Sequence, residues 1–318
     1  MVTPEGTKAL KNDQPESAIQ ANIGPNFKAG YVALIGRPNV GKSTLMNALL
    51  GQKLSIVTPK PQTTRHRVLG ILTEPDHQII FLDTPGLMTP RYKLQEKMVK
   101  AAKTAITEAD VLLVMIEPED TISEANRTIL SELMLTKKPI ILAINKIDLI
   151  EKDRLLPMIA AYAEAFRLEE IIPISALKAD GLDRLHQLLI KYLPIGLPFY
   201  PEDMITDQPE RFFVAELIRE KIFEKYGEEI PYSTAVAIEE FRERDQGKDY
   251  IRAVIYVERD SQKAIVIGKQ GMALKQVGQI ARQEIELFLG RPVFLELFVK
   301  VKEKWRQNET VLRELGFS

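Results

Sequence analysis

The sequence contains no cysteine, a single tryptophan and only three histidines in 318 residues. Without cysteine there are no disulfides and no thiolate metal sites, and a reducing compartment is permitted. Uninterrupted apolar runs stop well short of the roughly 20 residues that a spanning helix needs, and the N-terminus lacks the compact apolar stretch of a secretory signal. A soluble, cytoplasmic protein is therefore expected. An excess of charge of one sign is missing too: 43 Lys and Arg stand against 44 Asp and Glu, a formal net charge of −1. That balance excludes a uniformly basic nucleic-acid coat and leaves local charge asymmetry as the informative quantity.

What is present is apolar residue enough, 45% of the chain, for two separate cores. Residues 1–27 are polar and without apolar periodicity, which reads as a flexible tail of unassigned role. Between 28 and 195, strand-sized apolar runs (Tyr31 to Ile35, Gln78 to Asp83, Asp110 to Ile116, Pro139 to Asn145, Ile171 to Ile174) alternate with helical patterns. Leu94, Met98, Ala101 and Ala105, for example, share one helix face and read as core. Such alternation predicts an α/β fold, a mostly parallel sheet covered on both faces, with Arg67 to Glu74 as an antiparallel edge strand. Pro194, Pro198, Pro201 and Pro209 interrupt any helix, so 196–210 is expected to be a linker. Residues 211–318 then follow a different order, with an opening helix, two strands (Tyr232 to Arg244, Tyr250 to Glu258), a helical pair about a glycine loop, a strand (Val293 to Val301) and a last helix, an α+β domain.

Strand Tyr31 to Ile35 runs into Gly36-Arg37-Pro38-Asn39-Val40-Gly41-Lys42-Ser43, the phosphate-loop pattern G-x-x-x-x-G-K-[ST], with Thr44 next in line. Its backbone N–H groups and the following helix N-terminus would converge on phosphate oxygens. Lys42 would reach the β and γ phosphates, and Ser43 would hold Mg²⁺. A glycine-containing strand-to-helix turn that binds nothing is the plain alternative, and three further motifs weigh against it. Asp83-Thr84-Pro85-Gly86 offers a carboxylate for the Mg²⁺ water shell and a glycine N–H that can sense the γ phosphate. Asn145-Lys146-Ile147-Asp148 places a carboxylate where it can accept both guanine N1–H and N2–H₂, a donor pair that adenine lacks. Ser175-Ala176-Leu177 brings a backbone N–H toward guanine O6. All lie at C-terminal strand ends, where α/β sheets bind ligands.

In the second half, Gly268-Lys269-Gln270-Gly271 joins a short helical pattern, Ser261 to Ile267, to an amphipathic helix from about Met272. Two glycines let a sugar-phosphate backbone approach, and the helix N-terminus adds its dipole. A lone G-x-x-G is a common connection. Here Lys263, Lys269, Lys275 and Arg282 occur between Ser261 and Arg282 with no acidic residue among them, which makes a positive stripe. Ile265, Val266, Ile267, Leu274, Val277 and Ile280 are divided between core and groove floor. Trp305, among Lys300, Lys302, Lys304 and Arg306, is read either as a base-stacking aromatic or as a core residue. His66, His77 and His186 are scattered and read as surface residues.

The phosphate-loop, Asp83, Asn145 and Ser175 motifs resemble those of translation-factor-related GTPases. Pro61-Gln62-Thr63-Thr64-Arg65-His66-Arg67 resembles the first switch of the Era family, as do Glu229-Ile230-Pro231-Tyr232-Ser233, the Gly268 loop, Leu289-Gly290 and Val299 through Arg306 its type II KH domain. The resemblance covers roughly residues 28 to 317. It implies a P-loop GTPase domain (28–195) followed by a KH domain (211–318), with Ser43, Thr64 and Asp83 at Mg²⁺, Thr63 as the alternative to Thr64, and Lys42, Thr64, Gly86 and Asn39 in hydrolysis. Leu87 stands where Ras-like relatives place a water-orienting glutamine, so slow intrinsic turnover is expected. Asn39 resembles the potassium-contacting asparagine of related GTPases; a loop-stabilising Asx contact weighs equally. The implied partners are the 3′ end of 16S ribosomal RNA and the assembling 30S subunit, gripped through Lys263, Ile267, the Gly268–Gly271 loop, Lys275 and Arg282, with the protein a monomer. Peripheral association with the inner face of the cell membrane is attributed to the family, and no amphipathic membrane helix in the sequence supports it. Two rivals stay open: a signalling or trafficking GTPase whose small domain binds protein, and an RNA scaffold with merely structural nucleotide.

Overall fold

The first strand, β1 (Lys28–Gly36), is apolar on both faces, and Val32, Ala33, Leu34 and Ile35 are fully buried. A strand of that kind belongs in the middle of a sheet covered twice. In the computed structural model, which describes residues 24–317, β1 lies between β3 (His77–Asp83) and β4 (Val111–Ile116), parallel to both. β5 (Ile140–Ile144) and β6 (Glu170–Pro173) continue the parallel ladder. β2 (Val68–Glu74) pairs antiparallel with β3 at the edge, giving the order β2-β3-β1-β4-β5-β6. Helices α1 (Lys42–Leu50) and α5 (Leu182–Tyr192) pack on one face; α2 (Lys93–Glu108), α3 (Glu124–Met134) and α4 (Leu155–Ala165) pack on the other. Five strands thus end at the phosphate-loop side of the sheet, while the β2–β3 turn faces the other way.

The proline-rich segment is fastened to this sheet. Gln78, fully buried, accepts the N–H groups of Phe199 (2.7 Å) and Tyr200 (3.0 Å) and donates to the Tyr200 carbonyl (2.8 Å). Ile71 N–H reaches the Ile205 carbonyl at 2.9 Å, and Thr206 Oγ1 donates to Leu69 O at 2.7 Å, so the segment satisfies the free edge of β2. At the other end, residues 1–23 of the expected tail lie outside the described residues. Phe27, assigned to that tail, is a core residue instead: it is buried and its carbonyl accepts from Gly196 N–H.

The second half comprises α6 (Glu210–Lys225), the single turn α7 (Ile230–Ser233), β7 (Ala235–Arg242), β8 (Asp249–Val257), α8 (Asp260–Ile267), α9 (Met272–Leu289), β9 (Val293–Val301) and α10 (Glu309–Glu314). β8 is central, antiparallel to β7 and parallel to β9. The parallel pair requires a crossover, and α8, the glycine loop and α9 supply it. Val266 and Val277 go to the core, whereas Ile265 and Ile280 are exposed.

The two halves share a small apolar cluster. Leu94 and Met98 of α2 are fully buried against Ala235, Trp305, Leu312 and Phe317. The first half of that helix stripe therefore faces the other domain, while Ala105 faces the sheet. Trp305 is completely buried and its Nε1 donates to Ser233 O at 2.8 Å, which rules out the base-stacking reading.

Candidate nucleotide and RNA sites

The phosphate loop closes around its own lysine. Lys42 Nζ donates to the carbonyls of Arg37 (3.0 Å) and Gly36 (3.3 Å), and burial pushes its pKa down to about 8 against the opposing pull of Asp83. Gly41 caps α1 at φ +101°, and a Cβ there would lie 2.2 Å from Asn145 Nδ2, so only glycine fits. With no side-chain cap, the first turn of α1 keeps its N–H groups for an anion. Val40 is buried in the core, Arg37 is exposed, and Pro38, Asn39, Gly41, Lys42, Ser43 and Thr44 line a cleft of about 580 Å³. That volume lies within the range of small-ligand pockets.

Three oxygen-bearing side chains meet on one wall. Ser43 Oγ donates to Asp83 Oδ2 at 2.6 Å and stands 2.9 Å from Thr64 Oγ1. Asp83 is fully buried, which raises its carboxyl pKa against the Ser43 hydrogen bond and the Lys42 charge, and its Oδ1 has no hydrogen-bond partner. Two hydroxyls and a carboxylate oxygen within hydrogen-bond distance of one another are hard oxygen donors that fit Mg²⁺. Thr63 is directed elsewhere: its hydroxyl donates to Lys60 O and meets Thr58 Oγ1, both at 2.7 Å. Leu87 N–H donates to Gly36 O at 3.0 Å, which sets Gly86 in the cleft wall, and the Leu87 side chain packs on the sheet core rather than toward the cleft. Asn39 uses its side-chain nitrogen on Pro59 O at 2.7 Å.

The base end of the cleft is cross-braced. Asn145 Nδ2 donates to Val40 O at 2.8 Å and its Oδ1 accepts Ala176 N–H at 2.9 Å, tying the phosphate loop to the Ser175 loop. Asp148 accepts from Ser175 Oγ at 2.5 Å, Lys146 pairs with Glu117, and Asp148, Lys146 and the exposed Leu177 line the cleft.

The glycine loop of the second half folds as a tight turn, Gly268 at φ +70°, Gln270 at +50° and Gly271 at +76°. A Cβ on Gly268 would lie 2.5 Å from that of Ala273, so the loop can seat on α9 only with glycine there. Beside it a groove of about 420 Å³ runs between α9 and β9, walled by Gly271, Leu274, Lys275, Gly278, Gln279, Arg282, Leu295 and Leu297. Gly271, Lys275 and Arg282 belong to the predicted set; Lys263, Ile267, Gly268, Lys269 and Gln270 sit on the helix and loop that precede the groove. Gly278, Gln279, Leu295 and Leu297 escaped sequence reasoning, because β9 reaches α9 only through tertiary packing.

Sequence reasoning also missed the contacts that join the two halves. Arg65, fully enclosed, donates to the carbonyls of Thr234 (2.6 Å), Pro231 (2.8 Å) and Tyr232 (3.3 Å). Arg219 of α6 donates to Thr63 O, Lys60 to Phe223 O and Tyr226 O, and Val57 N–H reaches Glu220 Oε1 at 3.0 Å. Nothing in the sequence marks them, since most acceptors are backbone carbonyls. The surface assignment of the histidines fails for His77, while His66 and His186 are half-buried. His66 stacks on Phe317 with centroids 4.2 Å apart, His77 is buried, and His77 and His186 touch.

Residues 31–146 match the family model described as a 50S ribosome-binding GTPase, and 229–306 match the KH domain model. The GTPase Era of Geotalea daltonii is 48% identical over 291 residues, covering 92% of this chain and 98% of that protein, and that of Geobacter metallireducens is 49% identical over 293 residues with the same coverage. A solved Aquifex aeolicus Era variant bound to GDP·AlF4⁻ superposes with TM-score 0.89 at 46% identity, over 92% of this chain and 100% of that one. Era in complex with MgGDPNP and nucleotides 1506–1542 of 16S ribosomal RNA does so with TM-score 0.89 at 47% identity, over 92% and 99%.

Proposed function

Because this chain belongs to the GTPase Era family, we propose that it is a GTP-hydrolysing switch that binds the 3′ end of 16S ribosomal RNA during small-subunit assembly in the cytoplasm. One juxtaposition supports the reading best. Ser43 and Thr64, with Asp83 hydrogen-bonded behind Ser43, meet in a cleft whose far end carries Asp148, in a chain that also holds the α9–β9 groove. Lys42 and the loop N–H groups hold the phosphates, Asp148 selects guanine, and Ser43, Thr64 and Asp83 hold Mg²⁺, which supplies charge neutralisation at the β and γ phosphates. Gly86 N–H meets the γ phosphate. No helix among the described residues is long and apolar enough to cross a membrane.

Leu87 is packed away and cannot orient a water, so intrinsic turnover is slow and positioning falls to the switch backbones. With its nitrogen on Pro59, Asn39 has its oxygen to offer a potassium ion. Hydrolysis is expected to be faster in potassium than in sodium buffer; equal rates remove the ion from the mechanism.

Because residues 57–67 include the Mg²⁺ ligand Thr64 and are hydrogen-bonded to helix α6, the nucleotide state sets how the halves pack and thereby RNA affinity. A labelled 3′-terminal 16S oligonucleotide is expected to bind more tightly with a non-hydrolysable GTP analogue than with GDP. Identical affinities overturn the switch and leave the scaffold reading.

A further inference from the structure

β3 runs from His77 to Asp83, so these two residues lie at opposite ends of the strand, roughly 20 Å apart at about 3.3 Å per residue. At the His77 end, Glu74 pairs with His77 across the β2–β3 turn, and His186 comes from α5, whose Leu185 and Leu189 are locked in the core. The ring nitrogens His77 Nε2 and His186 Nε2 lie 3.0 Å apart. Glu74 Oε2 is 3.8 Å from the first, and Glu74 Oε1 is 3.9 Å from the second. Asp76 Oδ1 stands 2.7 Å from His77 Nδ1. A carboxylate there holds the proton on Nδ1 and turns the Nε2 lone pair toward Glu74 and His186.

We propose that Glu74, His77 and His186 form a binding site for a divalent transition metal of the zinc class, with Asp76 as the residue that orients His77. Two imidazole nitrogens and one carboxylate oxygen are donors for zinc, cobalt or nickel and a poor set for Mg²⁺ or Ca²⁺. Tetrahedral ligation at about 2.0–2.1 Å separates donors by roughly 3.3 Å, so the observed spacings close by small side-chain rotations. Glu74 is 45% exposed and free to turn; His77, 1% exposed, is the fixed anchor. The bound ion clips the β2–β3 turn to α5, leaves its fourth position to water, and stabilises the GTPase domain by binding only its folded form.

The full chain, saturated with Mg²⁺ and GDP so that the phosphate site is filled, is titrated with Co²⁺ and then with Zn²⁺. The expected result is one equivalent of Co²⁺ with visible ligand-field bands, displaced by Zn²⁺, and a rise in melting temperature. His186→Ala and Glu74→Gln should each remove the bands, and Asp76→Asn should weaken binding by roughly 10–100-fold. These three side chains are partly or largely exposed, and retained GDP binding reports that each variant is folded. Absence of stoichiometric Co²⁺ binding, or binding unchanged in both His186→Ala and Glu74→Gln, overturns the proposal. The His77–His186 contact is then an ordinary imidazole hydrogen bond.

Discussion

Burial acts on Lys42 before any phosphate reaches it. Its pKa of about 8 lies well below the ordinary 10.5, because the enclosed loop disfavours the ammonium form. Phosphate oxygens favour that form, so above pH 8 nucleotide binding takes up a proton, and GTP affinity falls by up to about tenfold per pH unit. Calorimetry at pH 8.5 in two buffers of different ionisation enthalpy should show uptake in the parent protein and none in Lys42→Ala; no uptake in the parent would contradict the assignment. The grouping of Lys42, Ser43, Asp83 and Asp148 about one cleft is legible in sequence because backbone geometry forces their spacing. The choice of Thr64 over Thr63 beside Ser43 is not, because neighbouring threonines are chemically equal until the chain path turns one inward.

At the scale of elements, the segment 57–67 is a strap stitched along α6. Arg65 alone satisfies three carbonyls, and Glu216, although burial pushes its carboxyl up, is held below its ordinary pKa by Arg219. Arg65→Ala strands those carbonyls in a buried place, at a cost of about 1–3 kcal/mol for each that water cannot reach. The variant should melt at a lower temperature and lose most of the difference in RNA affinity between GTP-analogue and GDP states. An unchanged melting temperature would show that the strap contributes nothing. Helix α6 explains why this was hidden: Arg219, Glu220 and Lys221 are all buried, although charged residues in succession read as a solvated face. Arg219 and Glu220 are met by Thr63 and Val57, more than 150 positions away, and Lys221 by Glu284 of α9.

Over the whole molecule, the contact between halves carries a pH dependence. His66 is stacked on Phe317, and burial, against the pull of Glu216 and with the neighbouring Arg219 and Arg65 charges, pushes its pKa down to about 4 from an ordinary 6.5. A folded-state pKa below the unfolded one means that the stabilisation is complete above about 6.5 and is lost as pH falls toward 4, since only the opened chain takes up the proton. Urea midpoints measured from pH 7.5 to 4.5 should fall more steeply in the parent than in His66→Phe, which keeps the stack and removes the titration; parallel slopes would count against it. The sequence alone determined the two-domain order, the parallel sheet with its edge strand, guanine recognition and the glycine loop, because each is written in local periodicity or in motifs whose spacing one strand–turn–helix unit enforces. Only the tertiary structure decided that Trp305 is core, that α6 faces segment 57–67, that β9 walls the groove beside the glycine loop and that His77 meets His186. Those are encounters between distant segments, chosen by how whole faces pack, and no short-range pattern records them.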